Sequence, residues 1–234
     1  MNTTAAVVLT YRRPASLAAL VKQLRRHRLD IHVYDDDPVT RGRSRRRPDG
    51  VSRYTIADHN HGRDEFWCWV SRVMQDLKRS RYRRFVFLPD DVSICRDFSA
   101  RCEQRWARLP KGSASLNLLV DDRAGGPNWT ARAPVRFDGL NDETWWVDGC
   151  FYSDRALFDA IDWKILPIKR RPDAPGQPPR GSGVWAQVSR RLVQGGHRMF
   201  RSHQSLVLHH GAESQMNPAA RQSAPLRTQR WIDG

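Results

Sequence analysis

"FVFLPDDV" spans Phe85 to Val92. Four apolar residues run into a proline and two adjacent aspartates, Asp90 and Asp91. A short unbroken apolar run suits a strand buried on both faces, as in a parallel sheet. Two neighbouring carboxylates at its end repel each other unless a cation, a helix end or water receives them.

The preceding chain supplies the partners such a strand needs. "AAVVLTY" (Ala5–Tyr11) reads as a buried strand, and after Pro14 the residues Leu17, Leu20, Val21 and Leu24 fall on one helical face. "IHVYDDD" (Ile31–Asp37) is a second strand ending in carboxylates. "PVTRGRSRRRPDGVSR" (38–53) reads as a basic surface loop. Phe66, Trp69, Val70, Val73 and Leu77 keep helical spacing, which predicts a helix capped by Asp64 and ending near Ser80. Strands alternating with helices imply right-handed crossovers and a mostly parallel sheet flanked by helices. Ligands of such sheets sit at the carboxyl ends of the strands. Asp35, Asp36, Asp90 and Asp91 all fall at such ends.

The second half is more mixed. "SASLNLLVDD" (Ser113–Asp122) and "ETWWVDGCFYS" (Glu143–Ser153) read as strands, and "DRALFDAI" as a short helix with Ser153 as N-cap. Residues 169–183, rich in Pro and Gly, read as a lid loop. Val184, Val188 and Leu192 mark a helix with Ser182 at its start and Gly195 and Gly196 at its end. "SLVLHHG" is a last strand ending in His209 and His210. With no repeat and no clean linker, 1–234 reads as one domain, large enough for a sizeable core.

No apolar run reaches the length of a membrane span, and the N-terminal stretch lacks a basic n-region, so the sequence reads as mature protein without an anchor. Four cysteines without CxxC pairing suggest reduced thiols in a cytoplasm, the host's if the source is viral. The net charge of +15 favours a polyanionic partner, nucleic acid or an anionic membrane surface. With 35 arginines against five lysines, a GC-rich genome is an alternative origin of that charge.

The acidic strand ends carry the chemistry. Mg²⁺ and Mn²⁺ prefer carboxylate oxygens and keep positions for phosphate oxygens, and imidazole also binds Mn²⁺. Asp90, Asp91, His209 and His210 are therefore candidate ligands; a solvated turn or a helix cap is the plainer alternative for the doublet. Asp35 or Asp36 could accept hydrogen bonds from a ribose or base edge. Neither GxGxxG nor a P-loop is present, so phosphates need a metal and arginines instead.

The succession "VVLTYRRPASLAALVKQL", "IHVYDDDP", "HNHG", "FVFLPDDV" resembles the nucleotide-binding half of a GT-A glycosyltransferase of the family-2 type, over about residues 5–97. The resemblance implies a Rossmann-like α/β fold with a nucleotide-sugar half at 1–97 and an acceptor half at 98–234. It puts Thr10, Tyr11, Arg12, Asp35, Asp36, Asn60, Arg63 and Asp90 on a nucleotide-sugar, a UDP-sugar by preference. Asp91, with His209 and His210, is implied to hold Mn²⁺ or Mg²⁺. Two departures stand out. Pro89 takes the first position of the family's acidic triplet, and "GSGVW" replaces the Glu-Asp that usually opens the late helix. Asp148 in "WWVDGC" is the substitute candidate for the general base; capping a turn is its other reading, and without a base a retaining mechanism is open.

The late stretch "GSGVWAQVSRRLVQGG…SLVLHHGAESQMNP" is similar to small virus-encoded transferases, some of which modify hydroxymethylated pyrimidines in DNA. That similarity implies double-stranded hydroxymethylated DNA as acceptor. Arg43, Arg45, Arg46, Arg170, Arg171 and Arg180 would then meet phosphates, and Trp145 and Trp146 would stack on an extruded base. The alternatives are a transferase for surface glycans or glycolipids, and a nucleic-acid-binding protein without enzymatic activity.

Overall fold

The computed structural model describes residues 3–39, 48–120, 133–169, 182–210 and 230–233. Arg43, Arg45, Arg46, Arg170, Arg171, Arg180 and nearly all of the 169–183 segment lie outside these described residues.

The first strand, β1 (Thr4–Thr10), is buried and aligns in parallel with β2 (Asp30–Asp35) on one side and β4 (Arg84–Pro89) on the other. Its register pairs Thr10 with Asp35 and Leu9 with Pro89. The ends of β1, β2 and β4 therefore lie level. Between β1 and β2 runs α1 (Pro14–Leu24), which starts with the proline at its first turn and buries Leu17, Leu20, Val21 and Leu24.

β3 (Val51–Ile56) pairs in parallel with β2 and forms the sheet edge. The sequence had predicted loop through residue 53. "VSRYTI" is buried only at Val51, and an edge strand with exposed Ser52 and Arg53 has no apolar alternation to reveal it. α2 (Phe66–Lys78) buries Trp69, Val70, Val73, Met74 and Leu77 as its spacing predicts; its N-cap position is Glu65, not Asp64. After β4 come β5 (Val92–Ile94) and α3 (Phe98–Trp106), a helix the sequence reading did not assign.

The second half contributes β6 (Ser115–Asn117), β7 (Val135–Arg136), β8 (Asn141–Thr144) and β9 (Phe151–Asp154). The single strand expected over 143–153 is thus two strands, β8 and β9, separated by a turn. The next helix, α4 (Arg155–Ala160), is capped by Asp154, whose side chain accepts from the Ala156 amide at 2.9 Å; Ser153 stays in the strand. α5 (Val184–Gln194) has Gly183 rather than Ser182 at its N-cap position. Gly183 sits at φ +79, a left-handed conformation that suits glycine, and Gly195 follows the helix as expected. β10 (Met199–Ser202) and β11 (Val207–His209) complete the described elements.

The main sheet has the order β3-β2-β1-β4-β9-β6-β10-β8-β7. Seven of these strands run one way, while β8 and β9 run against them. Alternate residues feed two cores. Val7, Phe85, Phe87 and Phe151 face α2, α4 and α5, whereas Ala6, Val8, Val86 and Leu88 face α1 and α3. β5 and β11 form a separate antiparallel pair. Among the described residues, no helix is long and apolar enough to cross a membrane.

Candidate active site at the carboxyl rim of the sheet

The common level of the strand ends gathers the acidic residues. Thr10 ends β1, and its hydroxyl donates to Asp90 Oδ2 at 2.7 Å. Asp90 and Asp91 turn the chain from β4 into β5, both buried. β11 lies antiparallel to β5 with His209 opposite Val92, and the His210 amide donates to the Asp91 carbonyl at 3.1 Å. This ladder brings a histidine to Asp91 from more than a hundred residues away. His209 Nε2 lies 3.4 Å from Asp91 Oδ2. Successive strand residues point to opposite sides, so the His210 ring turns instead to the Ser93 hydroxyl, at 2.8 Å. Of the two histidines, only His209 reaches the doublet.

Arg13 is the residue that the sequence reading missed. Its Nη1 lies 2.5 Å from Asp91 Oδ2 and 3.3 Å from Asp90 Oδ1. A guanidinium thus stands between the two carboxylates. Burial pushes Asp90 up to about 6; the Thr10 hydroxyl and Arg13 oppose that, and the charge of Asp91 adds to it. The only hint in the sequence was position, immediately before Pro14 in the polar turn after β1.

At the end of β2, Asp35 is spent on structure. It accepts from the Asp37 amide at 3.0 Å and from the Tyr54 hydroxyl at 2.7 Å. Asp36 differs. Its Oδ1 accepts from the His61 amide at 3.2 Å and pairs with His61 Nδ1 at 2.6 Å, while its buried Oδ2 has no partner among the described residues. Burial raises its pKa, with the His61 bonds opposing. An acceptor buried without a donor is costly, which suits an oxygen awaiting a ligand's N–H or O–H. Nearby, the Tyr11 hydroxyl accepts from Asn60 Nδ2 at 2.9 Å, and Arg12 lies 3.5 Å from Asp37. Arg63 sits 3.7 Å from its neighbour Asp64. Beside this rim, Thr10, Leu17, Asp35, Pro48 and Tyr54 line a cavity of about 350 Å³.

Asp148 arrives at the same rim from the other direction. β9 runs against β4 with Phe151 opposite Phe87, so the turn before β9 adjoins the exit of β4. Asp148 Oδ1 accepts from the Cys150 amide at 2.7 Å, and the Asn117 side chain holds the turn through the Trp146 carbonyl and the Asp148 amide. Asp148 therefore does cap a turn. Burial also pushes its carboxyl up to about 7, the range of a general base at neutral pH. The thiol of Cys150 is raised well above its ordinary value by burial, then by Asp148, Cys102 and Asp91, which puts it within the field of both aspartates. Trp145 and Trp146 are half-buried beside this turn. All four cysteines are free.

The doublet's donor chemistry fits a hard divalent ion. One or two carboxylates and an imidazole leave room for phosphate oxygens. Asp91 and His209 would hold it, with Arg13 competing for the same oxygen.

A large, mostly parallel sheet flanked by helices, with a separate β5–β11 pair that delivers His209 to its rim, is the architecture expected of a GT-A-like fold. Solved structures agree. The chain is similar to S. aureus TarS 1-349 in complex with UDP-GlcNAc, at 13% identity and TM-score 0.56, over 95% of this chain and 61% of that one. The same fragment in complex with UDP gives TM-score 0.52 and 13% identity, over 88% and 60%. A longer TarS chain gives 0.52 and 12%, over 88% and 36%. The chain thus spans about three fifths of the TarS fragment, and at such identity the likeness is one of fold. No protein-family model matches the chain, and no curated protein matches it by sequence.

Proposed function

We propose that this protein transfers a sugar from a UDP-sugar to a hydroxyl acceptor with the help of a divalent ion. The observation that carries the reading is the meeting of His209 with Asp91 beside Asp90, at the rim where a buried Asp36 oxygen has no partner among the described residues. In this reading residues 1–97 bind the donor and 98–234 the acceptor.

Asp36 Oδ2 accepts a hydrogen bond from the base or ribose. Thr10 and Asp90 position the ribose end of the donor, with Tyr11, Arg12, Asn60 and Arg63 around it. Asp91 and His209 would hold Mn²⁺ or Mg²⁺, an ion that would supply positive charge for the departing diphosphate. Arg13, already at the doublet, adds a fixed positive charge beside that leaving group. Asp148 takes the proton of the acceptor hydroxyl as its oxygen bonds to the sugar's anomeric carbon and the bond to the diphosphate breaks. The test is UDP release from a panel of UDP-sugars, UDP-GlcNAc included, with Mn²⁺ present. Loss of turnover in both Asp91→Asn and Asp36→Asn supports the reading, and turnover unchanged in Asp91→Asn refutes it.

For the acceptor, the charge of +15 favours a polyanion, and the resemblance of the late stretch to virus-encoded transferases narrows it to hydroxymethylated DNA, with the arginine-rich stretches on phosphates and Trp145 and Trp146 beside the base. Duplex containing hydroxymethylcytosine or hydroxymethyluracil should gain a hexose mass and bind with a steep salt dependence. Label on a glycan or glycolipid and none on DNA would give the acceptor to that class. DNA binding without turnover of any donor would favour a purely binding role.

A further inference from the structure

We propose a second metal site, distinct from the Asp90–Asp91 doublet, in which Asp58, His59 and His61 bind a first-row transition ion such as Zn²⁺. The inference goes beyond the transferase reading and does not depend on it.

The site is built by the turn that leaves β3. The Ala57 amide donates to the Asp35 carbonyl at 2.8 Å, so the chain departs the sheet at residue 58. Asn60 Oδ1 then accepts from the Gly62 amide at 2.8 Å, and Gly62 takes φ +52. This tight turn brings His59 and His61 together, with ring centroids 4.2 Å apart. Asp58, His59 and His61 each bring one ligand atom within 4.8 Å of the others, and they are the only such set of three among the described residues.

The second observation is the state of His61. It is 4% exposed, its Nδ1 is engaged by Asp36 at 2.6 Å, and its buried Nε2 has no partner among the described residues. A histidine that ligates a metal through one nitrogen almost always donates the other N–H to a carboxylate, a backbone carbonyl or water, which fixes the tautomer and leaves a lone pair for the ion. The Asp36–His61 pair has that form. His59 has a carboxylate at each nitrogen, Asp58 3.1 Å from Nδ1 and Glu65 3.3 Å from Nε2, so an ion shared by Nδ1 and Asp58 would leave Glu65 to hold the other nitrogen. Trp69 stacks on the His61 ring at 5.2 Å and limits its rotation. Two imidazoles and one carboxylate suit Zn²⁺ and leave a coordination position open. Arg72, 2.8 Å from Asp58, is the competing cation and sits on an exposed face from which it can withdraw.

The full chain, stripped by a chelator and measured with excess Mg²⁺ to fill the Asp90–Asp91 doublet, should bind one Zn²⁺ by calorimetry and give a Co²⁺ visible spectrum of reduced symmetry. Asp58 and His59 are exposed, so Asp58→Asn and His59→Ala should stay folded by circular dichroism while losing affinity by about 100-fold or more. Glu65→Gln, one bond removed, should cost about tenfold. Asp91→Asn should bind Zn²⁺ as the wild type does. The proposal is overturned if the wild type binds no Zn²⁺, if Asp58→Asn and His59→Ala bind it undiminished, or if Asp91→Asn alone abolishes binding.

Discussion

Arg13 Nη1 lies 2.5 Å from Asp91 Oδ2, and the arginine side chain is only 13% exposed. A buried pair of carboxylates is stable only with a counter-charge, and here the chain supplies one itself. Removing one partner of a buried ion pair leaves an uncompensated charge, at about 3–5 kcal/mol. Arg13→Gln should lose that order of stability in urea unfolding. Mn²⁺ should stabilise this variant more than the wild type, because the ion then meets two carboxylates without a rival. Equal stabilisation of both proteins would mean that the ion and Arg13 do not share an oxygen.

Ion removal addresses the doublet from the other side. Chelation should abolish UDP release, and Mn²⁺ should restore it. Asp91→Asn should lower turnover by about 100-fold or more, since a Lewis acid at a leaving diphosphate contributes several kcal/mol. His210→Ala should leave turnover within about twofold, given that its ring is bonded to Ser93; a loss as deep as that of His209→Ala would reverse the roles of the two histidines.

The turn carrying Asp148 is tightly held. A methyl group on Gly149 would meet the Trp185 indole nitrogen at 3.1 Å, closer than ordinary contact. Trp185 also packs edge-on against Phe151 and Phe87, so it has little room to retreat. Gly149→Ala should cost about 1–3 kcal/mol of stability and shift Asp148. Calorimetric melting and kcat measured together would reveal this: a fall in kcat with unchanged KM marks a displaced base.

The strands with continuous apolar runs were legible, because β1, β2 and β4 are buried on both faces and their composition says so. β3 was not, since an edge strand need not bury its side chains. The turn at Asp148–Gly149 hid inside the run Glu143–Ser153 because aromatic and β-branched residues suit both a strand and the packed turn that splits it. At the site, Asp90, Asp91 and His209 could be nominated from their strand ends. The difference between His209 and His210 could not, because it depends on the β5–β11 register. Arg13 escaped for a related reason: its role exists only once α1 and the β4–β5 turn are side by side.

Asp148 offers the sharpest test. Burial pushes its carboxyl from 3.8 to about 7. A base must be ionised, so kcat/KM should rise with pH and level off above about 7, and Asp148→Asn should lose about 10²–10⁴-fold with no residual ascending limb at that pH. Stability should move the opposite way. Between the ordinary carboxylate value and about 7 the folded protein holds a proton that the unfolded chain releases, so stability falls as pH rises through that window. Asp148→Asn cannot titrate and should flatten this decline. Urea midpoints from pH 4 to pH 8 for both proteins would measure it, alongside the rate profile. A rate profile that keeps its rise near 7 in Asp148→Asn would move the base elsewhere. A stability slope left unchanged by the substitution would show that the carboxylate is already ionised when folded.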